Sequence, residues 1–306
     1  MLSSVLIIMI LLLSQPIFIQ GKQGVVHTRT PKKTLPKTRV SPTIKPHDKT
    51  MYPADELRFV FIVPSYNNAA WYKKNIESML TQNYSNYHII YIDDASTDET
   101  GILVEELVRQ HQAENKVTLI KNPMRLGIMA NRYTAINLCN DGDICIALDG
   151  DDWLPHQDVL RLYNTIYHRE NIWITYGRYL EYPILLDGHF AKVVPKNILR
   201  YNRIRHHPWS CSHLKTFRAW LFKKIKLEDL LMNGTFIPAA TDLAMMFPMM
   251  EMAQYHSLFV KEVTCIYNNI NPLGVIRQKS QIHLQCNHFL RSKKAYKPLK
   301  AAPCLT

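Results

Sequence analysis

The chain has 306 residues, of which 47% are apolar, and a formal charge of +12. That apolar fraction suits a packed core and excludes a wholly disordered chain, and the length allows one large domain or two small ones. The charge excess sits at the ends: residues 1–50 carry eight Lys/Arg against Asp48 alone, 291–306 carry five and no acid, and the stretch between is balanced. A nucleic-acid binder needs a basic stripe on folded elements, so no nucleic-acid partner is expected. The basic ends instead suit anionic lipid or a phosphate polymer.

Leu2–Ile19 is almost wholly apolar, interrupted at Ser14, Gln15 and Pro16. Residues 1–21 therefore read either as a signal peptide or as a short membrane anchor. Lys22, Arg29, Lys32 and Lys33 follow the apolar stretch and no Lys or Arg precedes it. By the positive-inside rule an anchor leaves the rest of the chain on the cytoplasmic side, whereas a cleaved signal leaves it secreted or luminal. Membrane association through residues 2–19 and the basic ends is the expectation, with the secreted form as its alternative. Residues 22–56 are rich in Lys, Thr and Pro, with prolines at 31, 36, 42, 46 and 53. Such a composition buries no core and reads as a semi-extended linker. Folded sequence is expected over 57–290, with a basic tail at 291–306. The six cysteines show no C-x-x-C pair or zinc-ligand spacing, and Cys139 and Cys145 read as buried thiols.

From Leu57 onward short apolar runs alternate with helical stretches. Strands are expected at Phe59–Pro64, Tyr87–Asp93, Val117–Lys121, Ile144–Asp149 and Trp173–Tyr176. Helices are expected at Trp71–Gln82, Gly101–Glu114, Ile128–Cys139 and Gln157–Arg169. Successive strand–helix units predict an α/β fold with a doubly wound, mostly parallel sheet. Ligands in such sheets bind beyond the carboxyl ends of the strands. After Gly177 the alternation fades; Lys215–Ile225 and Asp242–Ala253 read as helical, the second bent at Pro248, and His256–Asn268 as one or two strands.

Polar residues cluster at the predicted strand ends. The first strand ends in Pro64-Ser65-Tyr66-Asn67-Asn68, and no glycine occurs between Phe59 and Thr100. That excludes the G-x-G-x-x-G turn of a dinucleotide fold; Tyr66 and Asn67 offer instead a ring to stack and amide groups to hydrogen-bond a base, or else form an ordinary turn. The second strand ends in Asp93-Asp94-Ala95-Ser96-Thr97-Asp98. Adjacent carboxylates repel unless donors or a cation satisfy them, and Ser96–Asp98 also read as helix-capping residues. The fourth ends in Leu148-Asp149-Gly150-Asp151-Asp152-Trp153, an oxygen-rich site for a hard cation, with Gly150 letting Asp149 and Asp151 converge. Asp242 opens an apolar helix, as a cleft carboxylate or as a dipole-complementing one. Among His206, His207, Trp209 and His213, Trp209 could stack on a sugar ring and one His complete a metal sphere, or all could simply be packed.

The segments VPSYNN, IDDASTDET, RLGIMANR and ALDGDDWL stand in the order and spacing of family 2 glycosyltransferases of the GT-A fold, which the chain resembles over about Phe59–Leu154. The resemblance implies transfer of a sugar from a nucleotide-diphospho-sugar, by default a UDP-sugar, to an acceptor hydroxyl, with Mn²⁺ or Mg²⁺ as cofactor and inversion at the anomeric carbon. It implies a nucleotide-sugar half over 57–176 and an acceptor half over 177–290. Donor contacts fall to Pro64, Ser65, Tyr66, Asn67, Asp93, Asp94, Arg125, Asn131, Asp149 and Asp152. The metal falls to Asp151 and Asp149, and the acceptor, a glycan, lipid or protein, to Trp153, Trp209 and His213. The family's Glu-Asp pair, whose Asp is the catalytic base, has Thr241-Asp242 as its counterpart, so Asp242 is the expected base, followed by Glu251 or the His206–His213 group. Two other readings are a sugar-phosphate nucleotidyltransferase, against which the missing Gly-rich basic loop counts, and a non-catalytic carbohydrate- or nucleotide-binding protein on the same scaffold.

Because residues 22–52 have no apolar period to pack, a chain of residues 51–306 is expected to melt cooperatively, and an insoluble or non-cooperative truncation would move the domain boundary.

Overall fold

The computed structural model describes residues 53, 55–169, 171–273 and 281–304. The expected signal or anchor segment and the linker up to Tyr52 lie outside the described residues. In chain order the elements are β1 (Phe59–Ser65), α1 (Tyr72–Leu80), β2 (Tyr87–Asp93), α2 (Thr100–Gln110), β3 (Val117–Lys121), α3 (Ile128–Asn137), β4 (Ile144–Ala147) and α4 (Val159–Arg169). There follow β5 (Ile174–Tyr182), β6 (Leu186–Asp187), α5 (Lys196–Arg200), β7 (Lys215–Arg218), α6 (Ala219–Lys223), β8 (Leu231–Met232), β9 (Thr235–Phe236), α7 (Thr241–Ala253), β10 (Ser257–Asn268) and α8 (Gln281–Ser292).

The main sheet runs β10-β5-β7-β4-β1-β2-β3. β1 pairs in parallel with β2 and β4, β2 with β3, and β5 with β10; β7 is antiparallel to both β4 and β5. β1 (FVFIVPS) is buried along its whole length, as a near-continuous apolar run covered on both faces of a parallel sheet should be. Its side chains alternate between two cores. Val60 and Ile62 join α3, α6 and α7 residues on one face, whereas Phe59, Phe61 and Val63 join α1, α2 and α4 residues on the other. The chain steps outward from β1 to β2 to β3 and then returns to β4 on the other side of β1. That reversal opens a crevice at the carboxyl ends of β1 and β4, and it gathers the three polar strand ends.

Two expectations need correction. Lys215–Ile225 is not one helix: Lys215–Arg218 is β7, with Thr216 and Phe217 laddered between β4 and β5, and only Ala219–Lys223 is helical. Four residues carry too little periodicity to declare a strand, and pairing on both sides decides the conformation. The stretch after Arg291 is not a free tail: Tyr296 and Leu299 pack on the core, and the Leu299 N–H donates to the Met252 carbonyl at 2.9 Å.

Every residue of α7 except Asp242 is buried, Pro248 included. One of those buried residues is Glu251, and Arg205 grips its carboxylate at 2.6 and 2.9 Å while the Tyr296 N–H donates to it at 3.0 Å. Arg205 also donates to the Leu290 carbonyl at 2.5 Å, so one ion pair ties α7, α8 and the C-terminal stretch together. Among the described residues no helix is long and apolar enough to cross a membrane. Removing one partner of a buried pair strands the other charge. Glu251→Ala is therefore expected to lose roughly 3–5 kcal/mol of stability in urea denaturation, at unchanged transition slope.

Candidate active site

The site is built where β1, β2 and β4 end. Ser65 and Asp93 are register partners at the ends of β1 and β2. Ser65 is buried, and its Oγ accepts from the Tyr91 hydroxyl at 2.8 Å and from Asn68 Nδ2 at 3.0 Å. The acidic turn after β4 lies against it so closely that a Cβ on Gly150 would fall 2.5 Å from Ser65 Oγ. Glycine is required there by contact with a neighbouring strand end. From below, Asn75 on α1 donates to the Asp149 and Asp152 carbonyls at 3.0 and 2.7 Å and fixes the shape of the turn.

Asp94 organises the next loop. Its carboxylate accepts from the Leu126 and Gly127 N–H groups at 2.8 and 2.9 Å and from Asn122 Nδ2 at 2.9 Å. Burial raises its pKa, but these donors outweigh it and the group is held below the usual carboxylate range. Gly127 has φ +89°, a left-handed conformation suited to glycine, and it directs the N–H toward Asp94. The loop carries Arg125 over the Tyr66 ring, 3.8 Å from its centroid. Asn131 is buried and accepts from Asn122 at 2.8 Å.

The acidic cluster surrounds two buried cations. Arg132, on α3, donates through Nη2 to Asp149 at 2.7 Å and through Nη1 to Asp242 at 2.9 Å. Lys215, on β7 and fully buried, donates to the other Asp242 oxygen at 2.9 Å. Burial would raise the pKa of Asp242, but Lys215 and Arg132 drive it far below the usual range, so it is ionised throughout the physiological window. Asp152 is fully buried; its Oδ1 accepts from the Asn268 N–H at 2.8 Å, while Oδ2 has no hydrogen-bond partner. Facing it at 3.9 Å is His213 Nε2, equally without a partner. Burial and the Lys215 charge depress the His213 pKa, so the imidazole is neutral. Burial and the Asp151 and Asp149 charges raise that of Asp152. Asp151 accepts from Asn271 at 2.7 Å, and burial together with Asp149 pushes its pKa up to about 6.

Ligand atoms of Asp149, Asp152 and His213 lie within 4.8 Å of one another. A buried carboxylate oxygen and a neutral imidazole nitrogen, both lacking donors, fit a divalent cation, because only the neutral imidazole ligates.

Several expected residues are placed otherwise. The Asn67 amide does not hang free for a base: it bonds Thr97 Oγ1 at 3.0 Å and accepts from the Thr97 N–H at 2.8 Å, clamping the β1 loop to the β2 loop. Asp93 is turned onto Ser96 rather than into the crevice. Asp152 and His213 are buried within the acidic cluster, and neither faces open groove for donor or acceptor. Trp209 packs edge-on against Phe247 at 5.9 Å, at the rim of the core. Trp153 lies 5.1 Å from Tyr182, with the Lys74 ammonium 5.0 Å from its ring. Glu251 is committed to Arg205 and unavailable as a base, and His207 Nδ1 bonds the Pro208 carbonyl at 2.7 Å. Sequence reasoning missed Asn75, Arg132, Lys215 and Asn271. Only Arg132 had a signal, as the last residue of the RLGIMANR segment.

Comparison with known proteins agrees with this arrangement. Residues 60–230 match the glycosyl transferase family 2 profile. The chain belongs to that family. It is 25% identical over 185 residues to glycosyltransferase GlyA of Streptococcus pneumoniae, covering 56% of this chain and 26% of that protein. It is 29% identical over 126 residues to the Escherichia coli UDP-Glc:alpha-D-GlcNAc-diphosphoundecaprenol beta-1,3-glucosyltransferase WfgD, 41% of this chain and 47% of that one. The chain thus spans about a quarter to a half of these relatives. Among solved structures, the mannosyltransferase PcManGT of Pyrobaculum calidifontis, in complex with GDP-Man and Mn²⁺, superposes with a TM-score of 0.54 at 20% identity, covering 80% of this chain and 67% of that one. Glucosyl-3-phosphoglycerate synthase of Mycobacterium tuberculosis, with Mn²⁺, UDP and phosphoglyceric acid, gives 0.53 at 15% identity, over 78% and 80%. The shared fold is the GT-A nucleotide-sugar transferase fold.

A raised carboxylate pKa means that the folded state binds the proton more tightly than the unfolded state. Its contribution to stability is present at low pH and is lost as pH rises through the folded pKa. Asp151 and Asp152 therefore favour the folded state more at pH 5 than at pH 7, while His213, held neutral, favours it less; in the presence of EDTA, Asp151→Asn is expected to raise the melting temperature at pH 7 more than at pH 5.

Proposed function

We propose that the protein transfers a sugar from a nucleotide-diphospho-sugar to an acceptor hydroxyl, with inversion, at the cluster formed by Asp149, Asp151, Asp152, His213 and Asp242. The observation that carries the reading is the charge balance at the switch point of the sheet. Four clustered carboxylates (Asp149, Asp151, Asp152 and Asp242) face two buried cations, Arg132 and Lys215, while the His213 imidazole beside them is neutral. Two negative charges are left over, which a divalent ion balances. Burial and the neighbouring acids make proton uptake easier on both Asp151 and Asp152, as crowded negative charge requires.

A bound Mn²⁺ or Mg²⁺ would supply a Lewis acid for the donor diphosphate and the leaving nucleoside diphosphate. Asp149, Asp152 and His213 are the residues placed to hold it, with Asp151 adjacent. Tyr66 and Arg125, stacked on one another at the rim, offer a planar surface and a positive charge to the nucleotide. The relatives named for UDP-Glc and the neighbours solved with UDP favour a UDP-sugar as the default donor. Asp242, with 28% of its side chain exposed, is the carboxylate of the cluster across Arg132 from Asp149. It takes the acceptor proton as the hydroxyl attacks the anomeric carbon opposite the leaving group. Its two cation partners keep it ionised and lower its basicity together, so proton transfer falls late, after the acceptor oxygen has begun to bond.

The test is initial-rate transfer by Asp242→Asn at saturating UDP-sugar and Mn²⁺. The expected result is a loss of about two to four orders of magnitude in turnover, with donor affinity retained in calorimetric titration and a cooperative melting transition in the same preparation, because Asp242 also neutralises Arg132 and Lys215. Near-normal turnover would place the base elsewhere.

A further inference from the structure

We propose that Ser212 is a positioning residue: its hydroxyl fixes the tautomer of His213, so that Nε2 offers a lone pair to a divalent cation and the site favours Mn²⁺ over Mg²⁺. The inference rests on the transfer reading above and deepens it, by naming the residue that orients the nitrogen ligand.

The two nitrogens of the His213 ring have unlike surroundings. Nδ1 lies 3.3 Å from Ser212 Oγ, whereas Nε2 lies 3.9 Å from Asp152 Oδ2 and has no hydrogen-bond partner. A neutral imidazole carries one proton, and the neighbours of its nitrogens decide which of them holds it. A proton on Nε2 would meet no acceptor within hydrogen-bond distance. A proton on Nδ1 has an acceptor in Ser212 Oγ. That tautomer leaves a nitrogen lone pair and a carboxylate oxygen facing one another, both buried. Two acceptors so placed repel, and both have lost water, unless a cation lies between them. Ligand atoms roughly 2.0–2.2 Å from one ion stand roughly 3–4 Å apart, and the 3.9 Å gap falls within that span.

The gap is held open by contacts that need no ion. The Asn268 N–H, at the end of β10, donates to Asp152 Oδ1 at 2.8 Å. Tyr267, the preceding residue, stacks on the His213 ring with centroids 5.1 Å and planes 20° apart. Tyr179 on β5 meets the same imidazole edge-on at 5.4 Å. Such ring contacts fix the plane of the imidazole but not the nitrogen that holds its proton. That choice falls to Ser212, itself buried.

The tautomer bears on which ion the site takes. Asp149 and Asp152 offer carboxylate oxygens, and His213 adds one nitrogen to them. Mg²⁺ takes oxygen ligands and sheds its water reluctantly, whereas imidazole suits transition ions. A lone pair on Nε2 therefore tilts the choice toward Mn²⁺, and a proton there would leave the carboxylates alone to hold the ion.

The test titrates the full chain with Mn²⁺, with and without UDP, and follows the ion by electron paramagnetic resonance. In the unaltered chain the spin-echo modulation is expected to show one imidazole nitrogen coupled to bound Mn²⁺, and His213→Gln should abolish it. Ser212→Ala should weaken Mn²⁺ binding by about 10- to 100-fold, diminish the nitrogen coupling, and narrow the preference for Mn²⁺ over Mg²⁺ in competition. Ser212→Thr, which keeps the hydroxyl, should retain all three properties, and melting temperatures in EDTA should match among these serine-position chains. Unchanged affinity and coupling in Ser212→Ala would overturn the proposal, as would an equal loss in a Ser212→Thr chain that melts normally, which would assign the effect to packing. Bound Mn²⁺ without nitrogen coupling would also overturn it while leaving a carboxylate metal site standing. No Mn²⁺ binding with or without UDP would overturn the metal reading beneath it as well.

Discussion

Arg132 and Lys215 are buried cations, and both are held by Asp242. Burying either alone would cost several kcal/mol, so their presence depends on the carboxylates around them, and the carboxylates depend on them in turn. Arg132 links α3 to the turn after β4 and to the start of α7. Lys215 brings in β7, the strand that runs against the direction of its neighbours. The two halves of the domain therefore meet through charge at the point where the sheet reverses its order, and the site lies at that junction.

The remaining polar contacts support this junction from outside. Asn75 holds the acidic turn by its carbonyls, Asn271 holds Asp151, and Asp94 fixes the loop that places Arg125 on Tyr66. These residues are spent on position. Asp152 Oδ2 and His213 Nε2 face one another without partners, and Asn75 Oδ1, Asn131 Nδ2, Arg132 Nε and Asn268 Nδ2 around them also lack one; buried unpaired polar atoms gathered at a crevice mark where a ligand belongs. The same reasoning separates Glu251 from Asp242: both are carboxylates on α7, but Glu251 has its needs met by Arg205 and Tyr296 deep in the core, whereas Asp242 retains an exposed edge toward the crevice.

The second half shows how local sequence and burial diverge. The Ile184–Leu186 tip of the β5–β6 hairpin carries no motif, and nothing in its composition separates it from a core run. Only their exposure reveals that these apolar residues are not core.

The sequence by itself determined the alternating strands and helices up to α4, the parallel sheet, and the three polar strand ends. The strands that carry those ends are each a buried or nearly buried apolar run, and each motif is contiguous in the chain. Within those motifs it marked Asp94, Asp149 and Asp151, since paired acids at a strand end are legible without any knowledge of neighbours. Tertiary structure decided which acids converge. His213 and Lys215 lie more than sixty residues beyond Asp149 and reach it only because β7 inserts between β4 and β5. That insertion rests on backbone pairing with strands on both sides, an interaction that four residues of sequence do not encode. The partners of Asn67, Asp93 and Glu251 were decided in the same way, by the residues that folding brought to them.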